Sequence, residues 1–138
     1  MEMKLRGHPV NGGKAEGEAI VYHGNFSFVG DLSWKTGVVP VPGHELEGQG
    51  LANKVFIFQT GKGSSAGPYY AYRSKQAGFA PAAMICVRAE PIIALAAVTA
   101  DIPTVDRLEK NPLDVIETGD YVKVDTTQGI VEVTKRKR

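Results

Sequence analysis

Apolar residues fall along this chain in short alternating or continuous runs, separated by stretches rich in glycine and proline, and that pattern predicts a mixed fold with short elements. EGEAIVY, Glu16 to Tyr22, alternates and predicts a strand with Ala19 and Val21 on one face and Ile20 and Tyr22 on the other. Before it, Pro9 to Gly13 reads as a turn-rich segment. After it, residues 24–54 carry only one short strand candidate, TGVVPV, and read as a long structured loop. Phe26, Phe28 and Trp34 form its apolar side, expected to pack in the chain's own core rather than against a partner subunit.

The continuous run VFIF from Val55 predicts a buried strand, and the segment from about Ser65 to Ala77 predicts a helix stopped by Gly78. Helical spacing puts Ala66, Tyr69, Tyr70, Arg73 and Ala77 near one face, with Ser74 and Lys75 turned away. PAAMICV, Pro81 to Val87, reads as a second buried strand, so strand, helix and strand imply parallel pairing through a right-handed crossover. Glu90 and Pro91 signal a second helix whose body, Ile92 to Ala100, is apolar all round and is expected to be buried. IPTVD is a further short strand, and DYVKVD and GIVEVTK, joined by the turn TTQG, predict a hairpin. The expected architecture is α+β in one domain over residues 1–138: an antiparallel β portion from the N-terminal strand and the C-terminal hairpin, joined to a central βαβα unit. The basic tail, 135–138, is expected to be a solvated, disordered end.

Composition narrows the chemistry. The net charge is +1, with 43% hydrophobic and 22% charged residues, which supplies no long-range attraction to nucleic acid or to a membrane surface. The longest apolar run, PIIALAAVTA, is too short to span a bilayer, and MEMKLRGHPV lacks the apolar region of a signal peptide, so a cytoplasmic location is expected. The lone cysteine, Cys86, excludes an internal disulfide, cannot by itself hold zinc or an iron–sulfur cluster, and is expected in the core. His8, His23 and His44 show no metal spacing and read as surface or loop residues.

The candidate chemistry lies at the strand-to-helix elbow GKGSSAG, residues 61–67. Gly61, Gly63 and Gly67 permit a sharp turn or a close approach, and Ser64 and Ser65 stand where a helix N-cap hydroxyl belongs. Pro68 suits the first helical turn. Free backbone N–H groups and the positive end of a helix dipole then surround two hydroxyls, a site for a phosphate, a carboxylate or a developing oxyanion. The loop fails the GxxxxGK[ST] phosphate-loop pattern. Gly63, Ser65 and Gly67 match a GxSxG nucleophile elbow, but all three histidines precede the serine, against the order a hydrolase of that kind needs. A serine that only caps a helix, with or without a bound anion, remains the alternative on the pattern alone.

SFVG, TGV, the elbow GKGSSAG and the block GFAPAAMICVRAEPIIALAAVTADIPTVD together resemble the small subunit of the aconitase X family, from about Lys14 to Val133. The resemblance implies a swivelling β/β/α domain, in agreement with the α+β reading. It implies a hydro-lyase subunit that pairs with a large subunit carrying an iron–sulfur cluster, this chain binding no cofactor of its own. For archaeal members it implies dehydration of mevalonate 5-phosphate to trans-anhydromevalonate 5-phosphate on a mevalonate route to isoprenoids; bacterial relatives act on hydroxyproline-type substrates. Ser64 matches the position of the family's catalytic serine, the base that removes the proton beside the carboxylate, and Ser65 is the second candidate. Backbone at Gly63 and Gly67, with Lys62 and Arg73, would supply positive potential or hold the substrate anion. Where the family often has Gly-Gly-Val-Asp, this sequence has GDLSWKTG, with Asp31 as the acidic residue. A non-catalytic module that binds an anion or docks through the same elbow is the competing expectation.

Overall fold

The computed structural model describes residues 2–136. Its β3 (Lys14–Val21) is the spine. Residues Lys14 to Glu18 pair antiparallel with β9 (Tyr121–Asp125), whereas Ala19 to Val21 pair parallel with β5 (Val55–Phe58). The strand changes partner beside Gly17, where an added Cβ would sit 2.6 Å from the Asn53 carbonyl oxygen. From β9 the sheet continues antiparallel through β10 (Ile130–Thr134) to β1 (Glu2–Arg6). From β5 it continues parallel through β7 (Ala83–Cys86) and β8 (Thr104–Asp106), then antiparallel to β2 (His8–Asn11). β1 and β2 are thus the opposite edges of an eight-stranded sheet, yet only Gly7 separates them in the chain. The sheet therefore curls until its edges meet. A Cβ at Gly7 would lie 2.7 Å from the Asp106 carbonyl oxygen, so only glycine fits this seam.

Two cores follow from alternation along the strands. Ala19, Val21, Val55, Ile57, Ala83, Ile85 and Val105 face the Val122, Val124, Val131 and Val133 side of the hairpin, sealing the two halves of the sheet together. Ile20, Phe56, Phe58, Met84 and Cys86 face the other way, onto α1 (Gly67–Gln76), α2 (Pro91–Ala100) and the long loop. The result is the α+β arrangement expected from the sequence pattern, in the β/β/α layering that the resemblance implies, with β5, α1, β7, α2 and β8 as its central parallel unit.

Several expectations need correction. β2 covers the start of Pro9 to Gly13, where a turn-rich segment was expected, and Glu2 to Arg6 add β1; both are edge strands, and the proline in β2 sits where a missing N–H is tolerated. TGVVPV makes only isolated bridges, Val38 to Gly50 and Val39 to Glu47. The loop nonetheless packs inward, burying Phe26, Phe28, Leu32, Val39, Leu46 and Leu51, but Trp34, expected in the core with them, stays partly exposed against Arg73. On α1 the buried face is Gly67, Ala71 and Ser74, so Ser74 is buried where it was expected to be turned away, while Tyr69 is exposed. Small side chains on this face let α1 lie against α2, so hydrophobicity did not mark it. α2 buries Ile93, Ala96, Ala97 and Ala100 but leaves Leu95 54% and Val98 57% exposed, so an apolar helix is only half covered. A short helix, α3 (Pro112–Val115), leads Ile116 into the inter-sheet core.

The basic tail is also held at its start. The Lys135 ammonium pairs with the fully buried Asp120, which also accepts from the Glu117 and Arg136 N–H groups; Lys137 and Arg138 lie outside the described residues. Burial alone raises the Asp120 pKa, but the hydrogen bonds from Lys135, Glu117 and Arg136 and the Lys135 charge outweigh it and hold the carboxyl below its usual value. A depressed carboxyl favours the folded state above the unfolded pKa of about 3.9, and that contribution disappears as pH falls through the lower folded value. Asp120→Asn is expected to flatten this acid limb, measured as a smaller loss of urea midpoint between pH 7 and the acid range than in the wild type.

Candidate active site at the strand-to-helix elbow

β5 ends at Phe58, and a two-residue strand, β6 (Thr60–Gly61), pairs parallel with β4 (Asn25–Phe26) at the start of the long loop. The chain then turns through Gly63 at φ +88° and Ser64 at φ +77° into α1. Consecutive left-handed residues make the turn sharp; for Gly63 this is free of strain, whereas a serine there is uncommon and marks a residue held by its surroundings. The glycines of the elbow do different jobs. Gly61 is a packing position, since an added Cβ would lie 2.1 Å from Glu90 Oε1 and 2.9 Å from Ile93 Cβ. Gly67 begins α1 against Ile92.

Ser64 and Ser65 do not cap α1. The N-cap is Ala66, no side chain accepts from the first turn, and Pro68 occupies that turn as expected. Gly67 N–H donates to the Ser64 carbonyl at 3.0 Å. Among the described residues, the N–H groups of Ser65, Ala66 and Tyr69 have no acceptor outside the helix, and the Ser64 hydroxyl has no partner. Both serines are exposed. The neighbouring α2 is different: the Glu90 carboxylate accepts from Ile92 N–H and Ile93 N–H, closing that helix end with a negative charge. The open, positive helix end of this region is therefore α1, and it faces the Ser64 turn. Gly61→Ala drives a methyl group into the Glu90 cap and is expected to cost about 1–2 kcal/mol in a urea melt, the range for losing an N-cap.

The remaining candidates fall in different places. Lys62 pairs with Asp31, its ammonium 2.9 Å from Oδ2. Arg73 lies with its guanidinium carbon 4.2 Å from the Trp34 ring centre and donates to the Tyr69 hydroxyl at 2.9 Å, tying the long loop to α1. His8 pairs with Asp106 and His23 with Glu45, both as exposed imidazoles. His44 was read as a surface or loop residue, yet its side chain is 5% exposed and stacks on Tyr22 at 4.4 Å between ring centres. Its ring faces Asp31, a neighbour 13 positions away that no local pattern indicates, and only the inward turn of the loop brings them together.

The residues present do not fit an iron–sulfur cluster. Cys86 is wholly buried in β7, and burial, with the nearby Asp106 and Glu90 charges, pushes its thiol far up, the opposite of what a thiolate ligand needs. Among the described residues, no group of three His, Cys, Asp or Glu side chains is placed to hold a metal ion. No helix among them is long and apolar enough to cross a membrane.

The sequence model of the family described as the aconitase X swivel domain matches residues 4–133. The chain is 46% identical over 132 residues to the phosphomevalonate dehydratase small subunit of Methanocella arvoryzae, covering 96% of this chain and 100% of the relative. It is 43% identical over 134 residues to the protein of the same name from Methanococcoides burtonii, covering 97% of this chain and 98% of the relative. The crystal structure of Thermococcus kodakaraensis aconitase X in its holo-form is similar with a TM-score of 0.90 and 40% identity, covering 96% of this chain and 99% of that one.

Proposed function

The chain belongs to the aconitase X swivel-domain family, and from that membership and the geometry of the elbow we propose that it is the small subunit of a phosphomevalonate dehydratase in which Ser64 is the general base. The reaction removes water from mevalonate 5-phosphate. One carbon, beside the carboxylate, gives up a proton to Ser64 Oγ, its electrons form the new double bond, and the hydroxyl departs from the adjacent carbon. The observation that carries the reading is the exposed, unpartnered Ser64 hydroxyl on a positive-φ turn at the open end of α1.

A neutral serine is a weak base, so its hydroxyl must be drawn toward alkoxide by positive potential. The free N–H groups of Ser65, Ala66 and Tyr69 and the dipole of α1 support that role, because they are fixed before substrate arrives. The same donors suit the negative charge that grows on the substrate carboxylate as the proton leaves. Ser65 lies one residue nearer the helix and serves as a neighbour rather than the base. An iron–sulfur cluster, which these residues do not fit, belongs on this reading to the large subunit. Two exposed tyrosines of α1, Tyr69 and Tyr72, and Leu95 and Val98 of α2 give an apolar surface near the elbow that supports docking of that subunit. A cytoplasmic complex is the expected setting.

The test is dehydration of mevalonate 5-phosphate by the two subunits reconstituted together, with wild type and Ser64→Ala compared. An undiminished rate in the variant would remove the serine from the mechanism and favour a binding module, whereas turnover by the small chain alone would overturn the two-subunit reading.

A further inference from the structure

Asp31 sits in the long loop with 3% of its surface exposed, and a carboxylate so buried needs partners to offset lost hydration. Its Oδ2 accepts from Ser27 N–H at 2.9 Å and forms an ion pair with the Lys62 ammonium at 2.9 Å. On its other side stands His44. Leu46 N–H donates to His44 Nδ1 at 3.0 Å, so the neutral ring carries its proton on Nε2, which faces Asp31 Oδ1 at 3.7 Å and has no hydrogen-bond acceptor. The wall around Asp31 is therefore made of donors. Lys62 N–H also donates to the Phe26 carbonyl at 3.2 Å, and Ser27 Oγ donates to the Gly63 carbonyl at 3.4 Å. Three of these contacts, Asp31 to Lys62, Phe26 to Lys62 and Ser27 to Gly63, join residues 26–31 to the two residues immediately before Ser64.

We propose that Asp31 is the positioning residue of the elbow: by latching Lys62 and gathering Ser27 against Gly63, it holds Ser64 in its left-handed turn, and Lys62 serves that latch rather than the substrate. The physical reason is strain. A non-glycine residue at φ +77° is strained and persists only where both sides of the turn are held. α1 holds the downstream side through the Gly67 N–H bond to the Ser64 carbonyl. Upstream, β4 and β6 pair over only two residues each, too short to hold the turn by themselves. The Asp31 to Lys62 pair supplies what is missing. A lysine side chain 46% exposed, but with its ammonium committed at 2.9 Å to a buried carboxylate, is also a poor free cation for a phosphate, which would have to compete with that carboxylate for it.

The kinetic part of the test rests on the reading of Ser64 as base; the exchange part does not. In the full chain, the Lys62 and Gly67 amides are both hydrogen-bonded, and in Lys62→Met and Asp31→Asn they are expected to exchange about tenfold faster while amides within α2 keep their rates. In the reconstituted complex each variant is expected to lower kcat about tenfold or more, with KM within about twofold, since a misplaced base costs rate rather than affinity. The double variant should be no worse than the worse single, because both break one latch. Lys62→Arg, which still reaches the carboxylate, should restore most of the rate. If Asp31→Asn does not fold, the half-exposed Lys62 variants carry both parts alone. Unchanged exchange, multiplying losses, or a Lys62→Met effect confined to KM would overturn the latch. Full activity in Ser64→Ala would instead sink the serine reading and leave the exchange result standing.

Discussion

Ser64→Ala is expected to lower kcat of the reconstituted enzyme by about 10²–10⁴-fold, the usual contribution of a positioned general base, with little change in KM. The carboxylates packed around the elbow are engaged elsewhere: Glu90 caps α2, and Asp31 is paired with Lys62. Ser65→Ala, one residue along, should cost less than about threefold, because that hydroxyl can be lost without removing the proton acceptor. Ser64→Gly separates chemistry from backbone strain. Glycine adopts φ +77° freely, so this variant should be as inactive as the alanine while matching or exceeding wild-type stability, with a gain up to about 1 kcal/mol. A glycine variant that is active, or an alanine variant that keeps its rate, would leave the elbow as a binding or docking turn.

Phe26→Ala is the substitution expected to cost the fold most, about 3–5 kcal/mol, out of a total stability typically about 5–15 kcal/mol for a domain. Phe26 is fully buried, edge-on to Phe28 at 5.0 Å and to Phe56 at 4.8 Å, and tilted against Phe58 at 5.8 Å between ring centres. Removing it opens a cavity at the place where the long loop, β4 and β5 meet, which the surrounding rings can fill only in part. Because its carbonyl accepts Lys62 N–H, the loss should also loosen the approach to the elbow. Urea unfolding gives the first number, and exchange at the Lys62 amide gives the second. A destabilisation below about 1 kcal/mol would mean that the loop is a cover laid over the core rather than part of it.

The parts of this molecule legible in its residues are those decided by near neighbours in the chain. Alternation in EGEAIVY put Ala19 and Val21 on one side and Ile20 and Tyr22 on the other, and those are the two cores they occupy. VFIF, PAAMICV and the Glu90–Pro91 start set out the parallel unit, the turn TTQG set the hairpin, and GKGSSAG marked the elbow, because strand period, turn chemistry and capping act over a few residues. Sequence reasoning missed the surroundings of that elbow. Asp31 was noticed only as an acidic residue in an unusual loop, and neither His44 nor Ser27 carries a local signal that it will face Lys62 and Gly63.

The chain by itself determined the strands and helices of the central parallel unit and the C-terminal hairpin, which strand faces are apolar, and that a serine would stand on a glycine turn before a helix. Only the tertiary structure decided the rest: that Gly7 joins the two edges of the sheet, that α1 buries its small residues and shows Tyr69 and Tyr72, that Lys135 is tied to Asp120, and that Asp31 reaches across 31 positions to Lys62. Periodicity reports the angle between successive side chains, a property of the local backbone. Which distant surfaces close over a given face is set by packing and by the pairing of buried charge, and these exist only once the chain has folded.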